Sequence, residues 1–321
     1  IPRRLPDPPL GGDALLAYGS AANERSANLG LDLPLGGHFV VHADGNWSKS
    51  DDLRTGGHIL AEDLRRQALA SPDPEVQALA RLKGDLPNSA AESKEGALGL
   101  AFIDGGFNAG LSVTRHLNEY QVPIRYSLEP GAESEAPTID QRQTRFDARA
   151  EIPLAGAFSQ LRARGALADY THDEIEDTGE IASSFFSKGG EGRLELVQRD
   201  RDGWGGTSGA QYLERKVRIE GEEKFLPDSR QRQAGLFTLQ TLVRGPWRFE
   251  GGARVEFSRL TAKADEQLET VARARKFTTL SGSAGGQYEF APGWRAGLSL
   301  SHSQRAPAID ELFASGPHVA S

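Results

Sequence analysis

The hydrophobic pattern of residues 243–260 recurs along the chain and predicts its secondary structure. This stretch begins at a tight turn of Arg244, Gly245 and Pro246, after which two sets of positions alternate. Side chains of a β-strand point alternately to opposite faces, so one face is largely apolar and the other largely polar. The first face carries Trp247, Phe249, Gly251, Ala253, Val255 and Phe257, and the second carries Arg248, Glu250, Gly252, Arg254, Glu256 and Ser258. Such a strand suits either a sandwich in water or a barrel in a membrane.

The spacing of the turns favours the membrane barrel. Short turns lie at 35–37, 104–106, 154–156, 202–203, 245–246 and 292–293. An aromatic residue stands at or just past each of them: Phe39, Phe107, Phe158, Trp204, Trp247 and Trp294. Long polar loops are predicted near 50–93, 122–137, 174–184, 217–230 and 262–275. Short turns at one end, long loops at the other and a girdle of aromatics are typical of outer-membrane barrels.

The recurring pattern predicts an all-β chain of 13 antiparallel strands. An open sheet of more than about ten strands rarely persists without closing or splitting. The alternative is a soluble or surface-exposed β-rich adhesin, in which some of the girdle aromatics would be buried between two sheets. Within the longest loop, 61–70 and 74–82 are predicted to form two short helices. Asp73 is the predicted N-cap of the second helix, and Pro74 its first residue.

Composition narrows the class of protein. The 321 residues carry a net charge of −8 and no basic face, so no nucleic-acid partner is expected. The absence of cysteine excludes disulfides and thiolate metal sites. No run of 18 apolar residues is present, which argues against a membrane helix. The chain opens IPRRLPDPPLGG, which is not a signal peptide, so we expect either a cytoplasmic protein or an internal fragment of a longer one.

Residues 303–320 have the sequence SQRAPAIDELFASGPHVA, which combines Arg-Ala-Pro, Glu-Leu-Phe and Gly-Pro-His. This segment resembles the mid-barrel region of TonB-dependent outer-membrane receptors, in the branch similar to zinc-uptake receptors. Further stretches that carry the resemblance are 17–33, 86–123, 139–154 and 189–197. The Arg-Ala-Pro and Gly-Pro-His combination is typical of the superfamily.

The resemblance implies a transmembrane β-barrel of 22 strands with an N-terminal plug inside it, in the outer membrane of a Gram-negative bacterium. Residues 1–11 would be the connector between plug and barrel. Residues 12–321 would be a partial barrel of about 13 strands, with the plug missing. The implied partners are outer-membrane lipid, the TonB energy-coupling complex acting through the plug, and a metal ion or metal chelate.

The implied function is energy-coupled uptake of a scarce metal, with zinc first and a metal chelate such as a siderophore second. Cobalamin or a glycan is the alternative solute. No resident cofactor is expected, since zinc would be the transported ligand. An outer-membrane phospholipase or protease would need a Ser/His/Asp or paired-carboxylate constellation, and the strands contain none with convincing geometry. The chain is therefore not expected to be an enzyme.

A candidate metal site lies at the outer end of the strand that begins near Phe158. By parity, His172, Glu174 and Glu176 share the lumenal face of this strand with arginines nearer the short turn. Imidazole and carboxylate are the zinc ligands available to a chain without cysteine. The hypothesis is that His172 and Glu174 or Glu176, with His318 of the Gly-Pro-His segment, capture the metal near the outer mouth. The alternative is that these residues are solvated loop charges.

Other lumenal side chains are predicted to have structural roles. His38 and His42 share the lumenal parity with Asp44 near a short turn, where we expect them to contact the plug. A ladder of charge pairs is predicted among Arg162, Arg164, Arg193, Glu195, Arg254 and Glu256, because each of these side chains needs a partner in the wet interior.

Overall fold

Thirteen antiparallel strands in chain order form one sheet in the computed structural model, which describes residues 1–6, 10–124, 127–129 and 136–315. The strands of this main sheet are β1 (Gly11–Gly19), β2 (Glu24–Leu35), β3 (Phe39–Ser50), β6 (Ala91–Asp104), β7 (Phe107–Gln121), β8 (Thr138–Pro153), β9 (Phe158–Ile175), β10 (Ile181–Gln198), β11 (Trp204–Gly221), β12 (Ser229–Arg244), β13 (Trp247–Ala262), β14 (Arg273–Ala291) and β15 (Trp294–His302). The predicted all-β class and the predicted number of main-sheet strands are both confirmed.

The longest loop carries its own small structures. The helices α1 (Glu62–Ala70) and α2 (Pro74–Leu79) confirm the two predicted ones, and the Asp73 carboxylate accepts a hydrogen bond from the backbone N–H of Glu75 at 2.9 Å. A two-stranded sheet of β4 (Leu53–His58) and β5 (Lys83–Leu86) was not predicted. Both of these strands are short and polar, and one contains two glycines, so they show no apolar alternation. No helix in the described residues is long and apolar enough to span a membrane.

The main strands extend further towards the long-loop end than the sequence suggested. The loops predicted near 174–184, 217–230 and 262–275 shrink to 176–180, 222–228 and 263–272. The sequence signal fails there because both faces of these strand ends carry polar residues, so the apolar alternation stops before the hydrogen-bond ladder does. Cross-strand bonds replace apolar contact in this region: the Ser184 hydroxyl, for example, donates to Asp173 at 2.6 Å.

The two faces of the sheet differ in exposure, as β13 shows. Phe257 is 53% exposed, whereas its neighbours Glu256 and Ser258 are 8% and 4% exposed. We call the side of Phe257 the outer face and the side of Glu256 the inner face. Following the register across the sheet, exposed large apolar residues line the outer face of nearly every strand: Leu16, Leu29, Leu98, Leu111, Phe146, Leu167, Leu194, Leu236, Phe257, Leu280, Leu298 and Leu300.

Aromatic residues mark the short-turn end of the outer face. Phe39 and Phe102 meet edge to face at 5.0 Å between ring centroids, and Trp247 lies 4.5 Å from Tyr288. Phe158 has the inner parity of β9, but a one-residue register shift opposite Val197 and Gln198 places it across from an outer-face position. The predicted row of aromatics after the short turns is therefore present at one end of the sheet.

An apolar core lies on the inner face at the long-loop end. The helix α3 (Ile309–Phe313) packs there against Ile219, Leu226 and Leu260, and all of these residues are buried. The backbone N–H of Ser315 donates to the carbonyl of Phe225 at 2.8 Å. The segment that contains Arg-Ala-Pro and Glu-Leu-Phe therefore folds back over the inner wall of the sheet.

One ion pair stabilises the turn within this returning segment. Arg305 donates to both carboxylate oxygens of Glu311, at 2.8 and 2.6 Å, and the backbone N–H of Ala308 donates to the same carboxylate at 2.8 Å. The hydrogen bonds from Arg305, and then that from Ala308, lower the pKa of Glu311 to about 2. This carboxylate closes the first turn of α3 from its third residue, as glutamate does in a capping box.

The docking of 303–315 is expected to weaken at low pH. The folded pKa of Glu311 lies below its ordinary value of 4.5, so its contribution to stability is fully present above about pH 4.5 and is lost as pH falls towards 2. The protection factor of the Ser315 amide, which compares its observed exchange rate with the intrinsic rate at the same pH, should therefore fall across this window. Glu311→Gln should lower this protection factor at neutral pH and remove most of its pH dependence. A wild-type protection factor that is flat from pH 5 to 2 would contradict this role of Glu311.

Candidate functional site

The inner face near the long-loop end of β7–β9 carries a chain of hydrogen-bonded side chains that ends at His172. Asn118 donates to Gln141 at 3.2 Å, and Gln141 donates to the hydroxyl of Tyr170 at 2.7 Å. The Tyr170 hydroxyl lies 3.0 Å from Nδ1 of His172. Three neighbouring strands in unbroken register place these residues side by side. The chain of hydrogen bonds therefore fixes the orientation of the imidazole.

The His172 ring makes a stacking contact in addition to the hydrogen bond at Nδ1. It stacks on Phe185 of β10, with ring centroids 4.1 Å apart and an interplanar angle of 14°. Its Nε2 lies 3.9 Å from Oε1 of Glu174, and both side chains are largely buried. The contact of Nδ1 with Tyr170 leaves Nε2 as the ring nitrogen that lies on the Glu174 side. An oriented imidazole beside a carboxylate is the arrangement that metal sites use.

The four candidate metal ligands are only partly brought together. His172 and Glu174 lie adjacent on the inner face, as parity predicted. Glu176 lies beyond the end of β9 in the exposed turn 176–180, where its carboxylate is 3.5 Å from the hydroxyl of Thr178. His318 lies outside the described residues. Within the described ranges, no group of three or more His, Asp or Glu side chains could hold a metal ion.

A second histidine on the inner face is paired on both sides. Nδ1 of His42 lies 2.8 Å from Asp32, and Nε2 lies 2.8 Å from Asp44. Parity along β3 placed His42 and Asp44 together, but Asp32 was missed because it lies on β2. The register of the short hairpin, which pairs Asp32 with His42, is the signal that could have found it. His38 instead lies at the turn, with Nδ1 3.2 Å from the carbonyl of Ile103.

The inner wall also carries a run of arginines with mixed partners. Arg193 pairs with Glu195 at 2.7 Å, and Arg254 donates to Glu256 at 3.0 Å, as the predicted ladder requires. Arg162 donates to Gln160 at 2.6 Å instead of to a carboxylate. The register sets Arg149, Arg164 and Arg193 directly opposite one another on three neighbouring strands. Two of the predicted pairs are therefore present, within a strongly cationic stretch of wall.

The first residues of the chain lie against this same wall. Arg149 donates to the carbonyl of Pro2, and Asn108 donates to the carbonyl of Arg3 at 2.9 Å. A 550 Å³ cavity on the inner face is lined in part by Ile1, Arg3 and Arg149. The inner wall is therefore contacted by the first residues of this same chain.

Comparison with known proteins identifies the family and the fold of this chain. Residues 81–321, well over half of the chain, match the family described as "TonB dependent receptor-like, beta-barrel". The copper transporter OprC is similar in structure, with a TM-score of 0.74 and 16% identity over 98% of this chain and 48% of its own. The FrpB iron transporter from Neisseria meningitidis has a TM-score of 0.67 and 13% identity over 94% of this chain and 46% of its own.

A third similar structure is the Serratia marcescens hemophore receptor HasR, solved as a double mutant with its hemophore HasA and heme. It has a TM-score of 0.69 and 14% identity, over 98% of this chain and 48% of its own. This chain spans about half the length of each of these three structures. At such low identities the likeness establishes the fold.

Proposed function

Because this chain belongs to the TonB dependent receptor-like β-barrel family, we propose that it is part of an outer-membrane receptor for energy-coupled uptake of a scarce metal. Zinc is the first candidate solute, and a metal chelate such as a siderophore is the second. In this proposal the barrel lies in the outer membrane of a Gram-negative bacterium. A plug inside the barrel couples it to the TonB complex.

The apolar outer face is the main observation that supports the proposal of a membrane location. Leu236 is 58% exposed in the middle of β12, and comparable apolar residues occupy the same face of almost every other strand. Monomeric proteins in water rarely expose one continuous apolar surface of this extent. A soluble adhesin would bury such a face between two sheets. Lipid covers it without further protein.

Residues 1–11 are proposed as the connector between the plug and the barrel, and residues 12–321 as barrel. The contacts of Pro2 with Arg149 and of Arg3 with Asn108 support this division, because they hold the start of the chain on the inner wall. A plug would occupy the same side of the sheet, against the arginines of β8–β10.

Metal uptake draws its support from the solutes of similar structures and from His172. Those structures include a copper transporter, an iron transporter and a hemophore receptor bound to its hemophore and heme. We propose that His172 and Glu174 supply two ligands at the outer mouth. His318 and either Glu176 or a plug residue would complete the four positions that a zinc site requires.

Zinc binding by the full-length receptor is expected to weaken roughly tenfold or more in His172→Ala and in Tyr170→Phe. The first variant removes a ligand, and the second removes the group that orients it, a change that typically costs 10–100-fold in affinity. Calorimetric titration with zinc chloride measures both effects. His302→Ala is the matched control, since His302 lies on the outer face of β15. Unchanged affinity in both test variants would contradict the site.

Uptake itself is tested in cells. Cells that carry the intact receptor gene should accumulate radioactive zinc faster than cells without it, and a protonophore should abolish the difference because coupling requires the inner-membrane proton gradient. The same comparison with a ferric siderophore tests the second solute. Equal uptake of both solutes with and without the gene would contradict the proposed function.

A further inference from the structure

The inner-face row that contains His172 changes from polar to apolar at this histidine. The register sets four residues directly opposite one another on neighbouring strands: Gln141 of β8, His172 of β9, Phe185 of β10 and Ile219 of β11. On one side of the imidazole ends the chain of hydrogen bonds that begins at Asn118. On the other side the ring stacks on Phe185, which packs against the apolar core at the long-loop end. His172 therefore joins a polar network to an apolar core.

Phe185 connects the imidazole to the returning segment that contains α3. Its ring lies 4.1 Å from that of His172 and 6.0 Å from that of Phe225, measured between centroids. The carbonyl of Phe225 accepts the hydrogen bond of the Ser315 amide at 2.8 Å. Both phenylalanines pack against the core that contains Phe313 of α3. A contiguous set of contacts therefore runs from the imidazole to the end of the returning segment.

The core that supports Phe185 is closed to solvent. Ile219 and Leu260 are fully buried, and Phe313 is almost fully buried. A close-packed interior transmits a displacement from one side chain to the next. When a large buried side chain is lost, its neighbours move part of the way into the space that it leaves. Removal of Phe313 from this core would therefore allow Phe185 to shift towards α3 and away from the imidazole.

The proposed metal site depends on the plane of the His172 ring. The hydrogen-bond contact of Nδ1 with Tyr170 restrains one atom of the ring and leaves the ring free to tilt about it. The stacking contact with Phe185, at an interplanar angle of 14°, restrains the plane itself. Since the ring nitrogen of an imidazole binds a metal in the plane of the ring, the groups that fix this plane also govern metal affinity.

We propose that Phe185 is a positioning residue for the metal site, and that docking of α3 on the inner wall sets the plane of the His172 ring through it. With α3 docked, the core holds Phe185 against the imidazole and Nε2 stays on the Glu174 side. With α3 released, Phe185 moves into the vacated core and the imidazole tilts. Metal binding and docking of α3 therefore favour each other. The inference rests on the proposed metal site and couples that site to α3.

Histidine NMR of the full-length protein tests this coupling without metal. A ring proton stacked on a phenylalanine is shifted upfield by the ring current, so the His172 signal, assigned by its loss in His172→Ala, reports the stacking contact. Phe313→Ala should move this signal towards the position of an unstacked histidine. The matched control is Phe257→Ala, which removes a phenylalanine from the outer face of β13 and should leave the signal in place.

A second variant covers the case in which Phe313→Ala does not fold. Ile309→Ala is a smaller truncation of the same core and should shift the His172 signal in the same direction. Hydrogen exchange at the Ser315 amide shows whether α3 is released in each variant, because this amide is bonded to Phe225 only when the segment is docked. An unchanged His172 signal in a variant whose Ser315 amide has lost protection would overturn the proposal.

Calorimetric titration with zinc chloride tests the coupling in the presence of metal. We expect Phe313→Ala to bind zinc at least about fivefold more weakly than the wild type, which is the lower end of typical coupling between sites. By reciprocity, saturating zinc should raise the protection factor of the Ser315 amide by the same factor. Phe185→Leu keeps an apolar side chain but not the stack, so Phe313→Ala should have little further effect on zinc affinity in its background.

These results separate failure of the coupling from failure of the metal site. Equal zinc affinity of the wild type and of Phe313→Ala would contradict the coupling and leave the metal site standing. Wild-type protein that binds no zinc would contradict the metal site on which the inference rests. In that case the His172 signal still decides whether docking of α3 sets the plane of the imidazole.

Discussion

Leu236→Arg is expected to destabilise the membrane-inserted protein by about 2–4 kcal/mol, because a cation near the middle of the surface that we propose to face lipid would lose its hydration. Leu236 lies at the centre of β12 on the outer face. In water the same substitution of a half-exposed leucine would cost little, since surface changes away from special features are usually within about 0.5 kcal/mol. The measurement is urea-induced unfolding of the full-length protein from phosphatidylcholine vesicles.

The matched control for this prediction lies three residues away on the same strand. Leu239 is 55% exposed against 58% for Leu236, but it has the inner parity and lies opposite Thr207 and Gly252. Leu239→Arg would place its charge on the inner face, which we propose to line a wet interior, and should destabilise the protein much less than Leu236→Arg. Similar costs for the two substitutions would mean that both faces contact the same medium, and the membrane assignment of the outer face would then be wrong.

Phe313→Ala is expected to release α3 from the inner wall. Phe313 is 5% exposed and packs in the core formed with Leu260 and Ile219. Truncating a buried phenylalanine typically costs about 3–5 kcal/mol, which is large for a helix of one turn held by few contacts. Hydrogen exchange at Ala314 and Ser315 and proteolysis within 303–315 should both accelerate, because the N–H of Ser315 would lose its bond to Phe225.

The structure supplies two checks on the Phe313 result. Leu226→Ala, which truncates another buried member of the same core, should lower protection in the same segment. Leu64→Ala, on an exposed position of α1, should leave it unchanged. Undiminished protection of Ser315 in Phe313→Ala would show that the core does not hold the segment.

The sequence predicts the fold well where one physical constraint acts alone. Between Trp247 and Phe257 a strand has one wet face and one apolar face, so alternation reveals both its span and its parity. Short turns are equally clear: Gly245 and Gly293 adopt positive φ values of 57° and 80°, which glycine reaches without strain. These signals suffice for the number and order of the main strands.

The sequence predicts less where polar residues lie on both faces. Beyond Asp173 and Val217 the strands continue through residues that satisfy one another across the ladder, and nothing in the local pattern separates such a strand from a loop. The same difficulty affects the site. Parity placed His172 beside Glu174, and it also sets Tyr170 on the same face of β9. Gln141 and Phe185, however, reach the site through cross-strand register, which a single strand does not reveal. Asp32 was missed beside His42 for the same reason.

The central claim is that the outer face contacts lipid, and its four tryptophans provide the most direct test. Trp204, Trp247 and Trp294 lie on the outer face at the short-turn end, and Trp47 lies on the same face, where it donates to Glu92 at 3.1 Å. The measurement is quenching of tryptophan fluorescence by brominated lipids in vesicles, on single-tryptophan variants of the full-length protein. The account predicts strong quenching of Trp204, Trp247 and Trp294 at one shared depth. Two results would contradict lipid contact. In one, brominated lipids leave the fluorescence unchanged and aqueous iodide quenches it. In the other, neither quencher acts because protein covers the tryptophans.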